Sequence, residues 1–279
     1  MKRLIVFIIG IVTACCVMAA DTDSTFVMKV LKEARSLPSA TNFQLHFARL
    51  FIGRPYVAHT LEVADPERLV VNTRQLDCTT LVENVTALTL CVYRKRFTYS
   101  DFKKHLREIR YRGGKLNGYT SRLHYFTDWI DDNSRRGIVS EVSQTTAPFN
   151  AVQTVKVNYM SQHPQSYKAL KAHPEMVSVI AAQEAALTGR TYRYIPKNDV
   201  ADNKAMRAAV HDGDIIAITC SKPGLDIAHL GFAVWRQDGL HLLNASQLHK
   251  KVVEEPMTLR QYLKKHPSHT GIRVVKIKK

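Results

Sequence analysis

Leu76-Asp77-Cys78-Thr79-Thr80-Leu81-Val82-Glu83-Asn84 is the stretch on which the fold reading turns. From Asp77 onward, Leu81, Val82, Val85, Leu88 and Val92 recur at steps of three and four, and Asp77 suits an N-cap, so the segment predicts a buried helix. Cys78 then opens that helix. A helix N-terminus offers unpaired N–H groups and the positive end of the dipole, which favour thiolate over thiol and suit a nucleophile. The competing reading is a small buried hydrophobe at a helix start. Cys91, between Leu90 and Val92, and Cys220, at a strand end, fit that second role better.

Outward from this helix the pattern changes twice. Upstream, Val27, Val30, Leu31 and Ala34 stripe a helix over Phe26 to Leu37 that Pro38 ends, and Phe43 to Leu50 reads as another. These lead to Gly53-Arg54-Pro55-Tyr56-Val57. Downstream, Phe97 to Arg112 is basic and mixed, Gly113 to Gly118 reads as a loop, and Tyr125 to Ile130 is short and apolar-aromatic. A helix from Pro174 to Leu187 precedes the irregular Tyr192-Arg193-Tyr194-Ile195-Pro196. The last third is β-rich, with strands over Asp214 to Cys220, His229 to Trp235, Leu240 to Ser246 and Ile272 to Ile277, and a turn at Asp238-Gly239. Helices first and a meander afterwards predict an α+β fold with helices on one face of an antiparallel sheet. With no repeat or linker, residues 21–279 read as one domain.

At 279 residues, 45% hydrophobic and 23% charged, the chain has ordinary globular composition, which excludes collagen-like, disordered and disulfide-scaffold classes. Lys2 and Arg3, the apolar run Leu4 to Met18, and Ala19-Ala20 before polar Asp21-Thr22-Asp23 form a secretory signal over residues 1–20, predicting export to the periplasm. Val12-Thr13-Ala14-Cys15 offers an alternative, a lipobox that would tether the mature chain to a membrane through a lipidated Cys15. Without Cys15 and Cys16 the mature chain keeps three cysteines, an odd number, so at least one thiol stays free. Net charge is +16, or +14 without Lys2 and Arg3. An anionic partner follows, and export favours wall polymer, anionic lipid or acidic glycopeptide over nucleic acid; a merely solvated basic surface is the alternative.

A cysteine nucleophile needs a base and a group that fixes the base's tautomer. Among twelve histidines, His229 begins the apolar strand His229-Leu230-Gly231-Phe232-Ala233-Val234, with Gly231 leaving space beside it. Strand parity puts Asn244 and Ser246 on the face of His229 and His241 on the other, with a longer loop or bulge needed to bring Asn244 level. Asn244 is the candidate orienting group.

Four segments in order resemble the NlpC/P60 superfamily of papain-like cell-wall cysteine hydrolases: Gly53-Arg54-Pro55-Tyr56, Leu76-Asp77-Cys78-Thr79, Gly213-Asp214-Ile215, and His229-Leu230-Gly231-Phe232. The resemblance implies a papain-like core of N-terminal helices, nucleophile helix and antiparallel sheet, with a large insertion at about 97–210. That insertion, with Gly118-Tyr119-Thr120-Ser121-Arg122-Leu123-His124-Tyr125-Phe126, looks like a bacterial branch catalogued as a domain of unknown function. What it implies is an N-acetylmuramoyl-L-alanine amidase acting on muropeptides, without cofactor or metal, through catalytic Cys78, His229 and Asn244. Substrate contacts would come from Tyr56, Asp77, Thr79, Arg122 and His124. A D-Glu–diaminopimelate endopeptidase of the same superfamily is the alternative bond specificity.

Two other classes compete. A glycosidase needs two carboxylates across a cleft, for which Glu62, Glu67, Asp128, Asp131 and Asp132 are the available acids. A non-catalytic wall-binding protein needs only the charge and the export. Metal catalysis is not expected, since no His-x-x-x-His or Cys-x-x-Cys pair occurs, and no phosphate loop is present.

Overall fold

A computed structural model describes residues 22–279; the signal segment, with Cys15, lies outside them. The described chain is a mixed α+β fold of ten α-helices and eight strands. Helices α1 (Asp23–Ala34) and α2 (Phe43–Arg49) precede α3 (Cys78–Tyr93), α4 (Tyr99–Arg110) and α5 (Phe126–Arg135). Strands β1 (Val139–Val142) and β2 (Ala151–Thr154) follow, then α6 (Tyr159–Gln162), α7 (Lys168–Ala172), α8 (Met176–Leu187), β3 (Thr191–Pro196) and α9 (Lys204–Ala209). The chain closes with β4 (Ile215–Cys220), β5 (Ile227–Arg236), β6 (Gly239–Ser246), β7 (Lys251–Glu254), α10 (Leu259–Lys265) and β8 (His269–Ile277).

Every strand pairing is antiparallel, in the order β2-β3-β8-β4-β5-β6-β7, with β1 also on β8. The buried helix and its Asp77 cap are as expected: Asp77 caps α3 by accepting from Thr80 N at 2.8 Å while Thr80 Oγ1 accepts from Asp77 N at 2.9 Å, a reciprocal capping box. Most of α3 is buried, because α1, α2 and α4 pack on its other sides while β5 and β6 lie beneath it.

Helices cover both faces of the sheet, not one. Leu230, Phe232, Val234 and Leu243 face α1 to α5, whereas Ile216, Ile218, Ala233 and Leu242 face Met206 of α9 and Leu259 and Leu263 of α10. All six residues of β4 are buried, as expected of a strand with both faces covered. The segment 192–196, irregular in the sequence reading, is paired as β3. The β5–β6 pair closes at Arg236 and Gly239, so the turn is Gln237-Asp238, one residue earlier than the Asp238-Gly239 signal. Within 97–210, α4, α5 and β1 join the main core and sheet, while Val155, Val157, Met160, Leu170, Ile180 and Leu187 form a third cluster with Tyr119 and Tyr125.

Candidate active site

Gly53-Arg54-Pro55-Tyr56 is stitched to the β7 edge by Gly53 N to Val252 O and Tyr56 N to Lys250 O, each at 2.9 Å. Tyr56 also bridges in parallel to Leu76, which carries the chain into Cys78. This fixes Tyr56 near the start of α3, where burial and the neighbouring Cys78 and Asp77 push its phenol up to about 12.

Cys78 and His229 line one cleft of about 170 Å³ with Thr79, His124, Tyr125, Phe126, Met160, Tyr167, Asp226 and Ile227. Leu230, next to His229, aims its backbone N–H at the Cys78 thiol, which tethers the start of β5 to the start of α3. Cys91 is fully buried and Cys220 nearly so, which leaves Cys78 as the accessible thiol among the described cysteines.

His229 Nε2 lies 3.0 Å from Asn244 Oδ1. An amide oxygen only accepts, so the ring donates from Nε2 and its Nδ1 carries the free lone pair. No longer loop or bulge between the two is needed. Asn244 sits opposite Gly231 in the register, two residues from the His229 position, and the imidazole reaches it diagonally beside a glycine that adds no side chain. A Cβ at Gly231 would stand 2.6 Å from Leu243 O and 2.7 Å from the Leu242 side chain. Asn244 is fully buried, and its Nδ2 donates to Leu242 O at 3.3 Å, which sets the amide's orientation.

Electrostatics departs from the sequence reading. Burial, then the Asp77 carboxylate, pushes the Cys78 thiol up to about 12, against partial relief from the backbone N–H groups of Leu230 and Thr79 and the Thr79 hydroxyl. A helix end contributes about 0.3–1 kcal/mol, less than one tenfold step in acidity, whereas burial moves a titratable group by several such steps. Burial also lowers His229, with Asn244 opposing it and the nearby His266 reinforcing it. Both shifts favour the neutral forms, thiol and imidazole.

The remaining expected contacts divide. Thr79 and His124 line the cleft. His124 Nε2 donates to Tyr119 O at 3.1 Å, and burial followed by the Arg122 charge pushes the ring down to about 3, so it is a neutral polar wall. Asp77 is engaged by the α3 cap. Arg122 is not in the cleft: its guanidinium is buried between Glu62 at 2.6 Å and Glu67 at 2.5 Å. Cleft residues that the sequence reading missed are Tyr125, Phe126, Met160, Tyr167, Asp226 and Ile227, and behind His229 stands Tyr262, ring centroids 6.3 Å apart. Tyr262 in turn stacks near His266 at 4.4 Å and His269 at 5.8 Å.

The acids named for a glycosidase are all committed to cations. Glu62 and Glu67 hold Arg122, Asp128 holds Arg112, Asp131 holds Arg190, and Asp132 holds Arg135 and Arg136. The cleft's one carboxylate, Asp226, accepts Thr127 N at 2.8 Å. Among the described residues, no group of three or more His, Cys, Asp or Glu side chains could hold a metal ion.

The α+β fold thus presents one accessible thiol at a helix start, in one cleft with an imidazole oriented by an amide. The chain belongs to the N-acetylmuramoyl-L-alanine amidase-like family, whose model matches residues 46–272. This is the family the comparisons give, where the motifs had pointed to NlpC/P60. A solved N-acetylmuramoyl-L-alanine amidase from Bacteroides uniformis is 43% identical, covering 85% of this chain and 98% of that one, with a TM-score of 0.79. A Bacteroides fragilis structure provisionally described as a xylanase is also 43% identical, over 84% of this chain and all of that one, with a TM-score of 0.78. A Legionella pneumophila protein at 21% identity and a TM-score of 0.70, over 91% and 94% of the two chains, shares the fold. A search of curated proteins finds no match.

Proposed function

We propose that this protein hydrolyses the amide between the lactyl group of N-acetylmuramic acid and L-Ala in peptidoglycan fragments, with Cys78 as nucleophile, His229 as base and acid, and Asn244 as the group that orients His229. The observation that carries the reading is the cleft that gathers Cys78 and His229, with Asn244 3.0 Å behind the ring, in a member of an amidase-like family. Neutral His229 Nδ1 takes the thiol proton as sulfur attacks the lactyl carbonyl. The resulting imidazolium protonates the leaving amine of L-Ala, and a thioester to the muramoyl group remains. Water, deprotonated by the same ring, then releases the free lactyl carboxylate and restores the thiol. Backbone N–H groups at the start of α3 can meet the oxyanion, with Tyr56 beside them.

A low resting population of thiolate fits this scheme, because proton transfer and attack are coupled in one pair of groups. Export to the periplasm, by the signal at residues 1–20 or with a lipid on Cys15, accords with a peptidoglycan substrate. The commitment of Glu62, Glu67, Asp128, Asp131 and Asp132 to cations disfavours the glycosidase reading.

Mass spectrometry of wild-type digests of defined muropeptides tests the bond. Free stem peptide beginning at L-Ala is the expected product. Release of a peptide beginning at diaminopimelate, with L-Ala-D-Glu left on the sugar, would instead identify the endopeptidase, and intact substrate in every digest would leave a wall-binding protein.

A further inference from the structure

The cleft described above uses little of the chain's excess positive charge. At the other end of α3 lies a far larger concavity, about 910 Å³, lined by Arg35, Tyr93, Lys95, Arg96, Phe97 and Lys279 among others. With 16 residues at 1.5 Å each, α3 separates it from Cys78 by roughly 24 Å.

Four features set it apart from an ordinary basic surface. Arg35, Lys95, Arg96 and Lys279 are exposed, and among the described residues none of the four makes an ion pair. The cleft has a single acidic side chain, Asp101, which accepts from Thr98 N and Oγ1 at 3.2 and 2.6 Å and also feels the Arg96 charge. The last carbonyls of α3 are met by the backbone N–H groups of Arg94, Lys95 and Arg96, so the Lys95 and Arg96 side chains are not needed to end the helix. Two of the cations lie against aromatic walls of the cleft, Arg35 at 5.9 Å over Phe97 and Lys279 at 5.8 Å over Tyr93. Lys32 of α1 and Lys103 and Lys104 of α4 extend the same field on the adjoining, mutually packed helices.

We propose that this cleft is a second binding site, which holds the carboxylate-bearing strands of peptidoglycan while the Cys78 cleft works on them. Concavity favours a segment of polymer over a flat bilayer, and four cations against one carboxylate favour an acidic polymer over a neutral one. Only the identity of the polymer rests on the amidase reading.

The test is co-sedimentation of the Cys78→Ala chain with purified sacculi, with and without Arg35→Ala, Lys95→Ala and Arg96→Ala together. A control triple, Lys156→Ala, Lys171→Ala and Lys204→Ala, removes the same charge elsewhere. The cleft triple should weaken binding about tenfold while the control changes it less than about twofold. In the chain with Cys78 intact, the cleft triple should leave cleavage of a soluble muropeptide unchanged. Equal loss in both triples, no loss in either, or tighter binding to anionic vesicles than to sacculi would overturn the site. Cleft-dependent binding by a chain that cleaves no muropeptide would retire the amidase reading and leave this site standing.

Discussion

His229 is held between opposing influences, and their signs give a pH prediction. Burial lowers its pKa below the ordinary 6.5, and the Asn244 hydrogen bond raises it back in part. Activity that needs the neutral ring rises with pH through the His229 pKa, so the acid limb of kcat/KM should lie below 6.5. Replacing Asn244 by Ala removes the raising influence, which moves that limb to still lower pH. It also frees the ring to turn, which should cost about 10- to 100-fold in kcat. A limb that stays in place, or moves up, would mean that Asn244 does not hold the base. At the same scale Arg122 shows what a sequence cannot tell: its charge suggested a ligand for substrate carboxylates, but a single residue type does not disclose that Glu62 and Glu67, more than fifty positions earlier, already surround it.

The candidate site depends on α3, β5 and the wall opposite them, and each can be loosened separately. Glu83 on α3 and Arg110 on α4 form an ion pair at 2.7 Å with both side chains buried, and Arg110 also donates to Val70 O at 2.6 Å. Glu83→Met would leave a buried guanidinium without its anion and should cost about 3–5 kcal/mol in urea unfolding, with part recovered when Arg110→Met is added. A loss below about 1 kcal/mol would show that the pair is not what ties α4 to α3. On the opposite wall, Glu184 of α8 accepts Tyr125 Oη at 2.6 Å and Met160 N at 3.0 Å, which fixes two residues of the cleft. Glu184→Ala should therefore raise KM about tenfold with a smaller change in kcat, because it disturbs substrate positioning and leaves Cys78 and His229 in place. An unchanged KM would detach that wall from substrate binding.

Over the whole molecule, legibility followed periodicity. The α3 helix, its cap and the strands β4, β5, β6 and β8 carry strong patterns, and face parity was enough to pair His229 with Asn244. The short strands β1, β2 and β7, at four residues each, carry too little pattern to announce themselves. Helices on the second face were signalled, though unread, by the continuous apolar run Ile215-Ile216-Ala217-Ile218, since a strand with one wet face alternates. Tyr167, Met160 and Asp226 reach the cleft from segments far from Cys78 in sequence: Tyr167 and Met160 belong to the third cluster, and Asp226 stands just before β5, three residues from His229. Sequence likewise indicated a thiol at a helix start but not the burial that reverses the expected shift of its acidity.

The central claim is that one thiol performs the cleavage. It is tested most directly by the steady-state hydrolysis rate of the Cys78→Ala chain on the muropeptide that the wild type cleaves. Loss of the nucleophile should lower kcat at least about 10⁴-fold while the fold, by circular dichroism, is retained. A folded Cys78→Ala chain whose rate stays within about tenfold of the wild type would contradict the account.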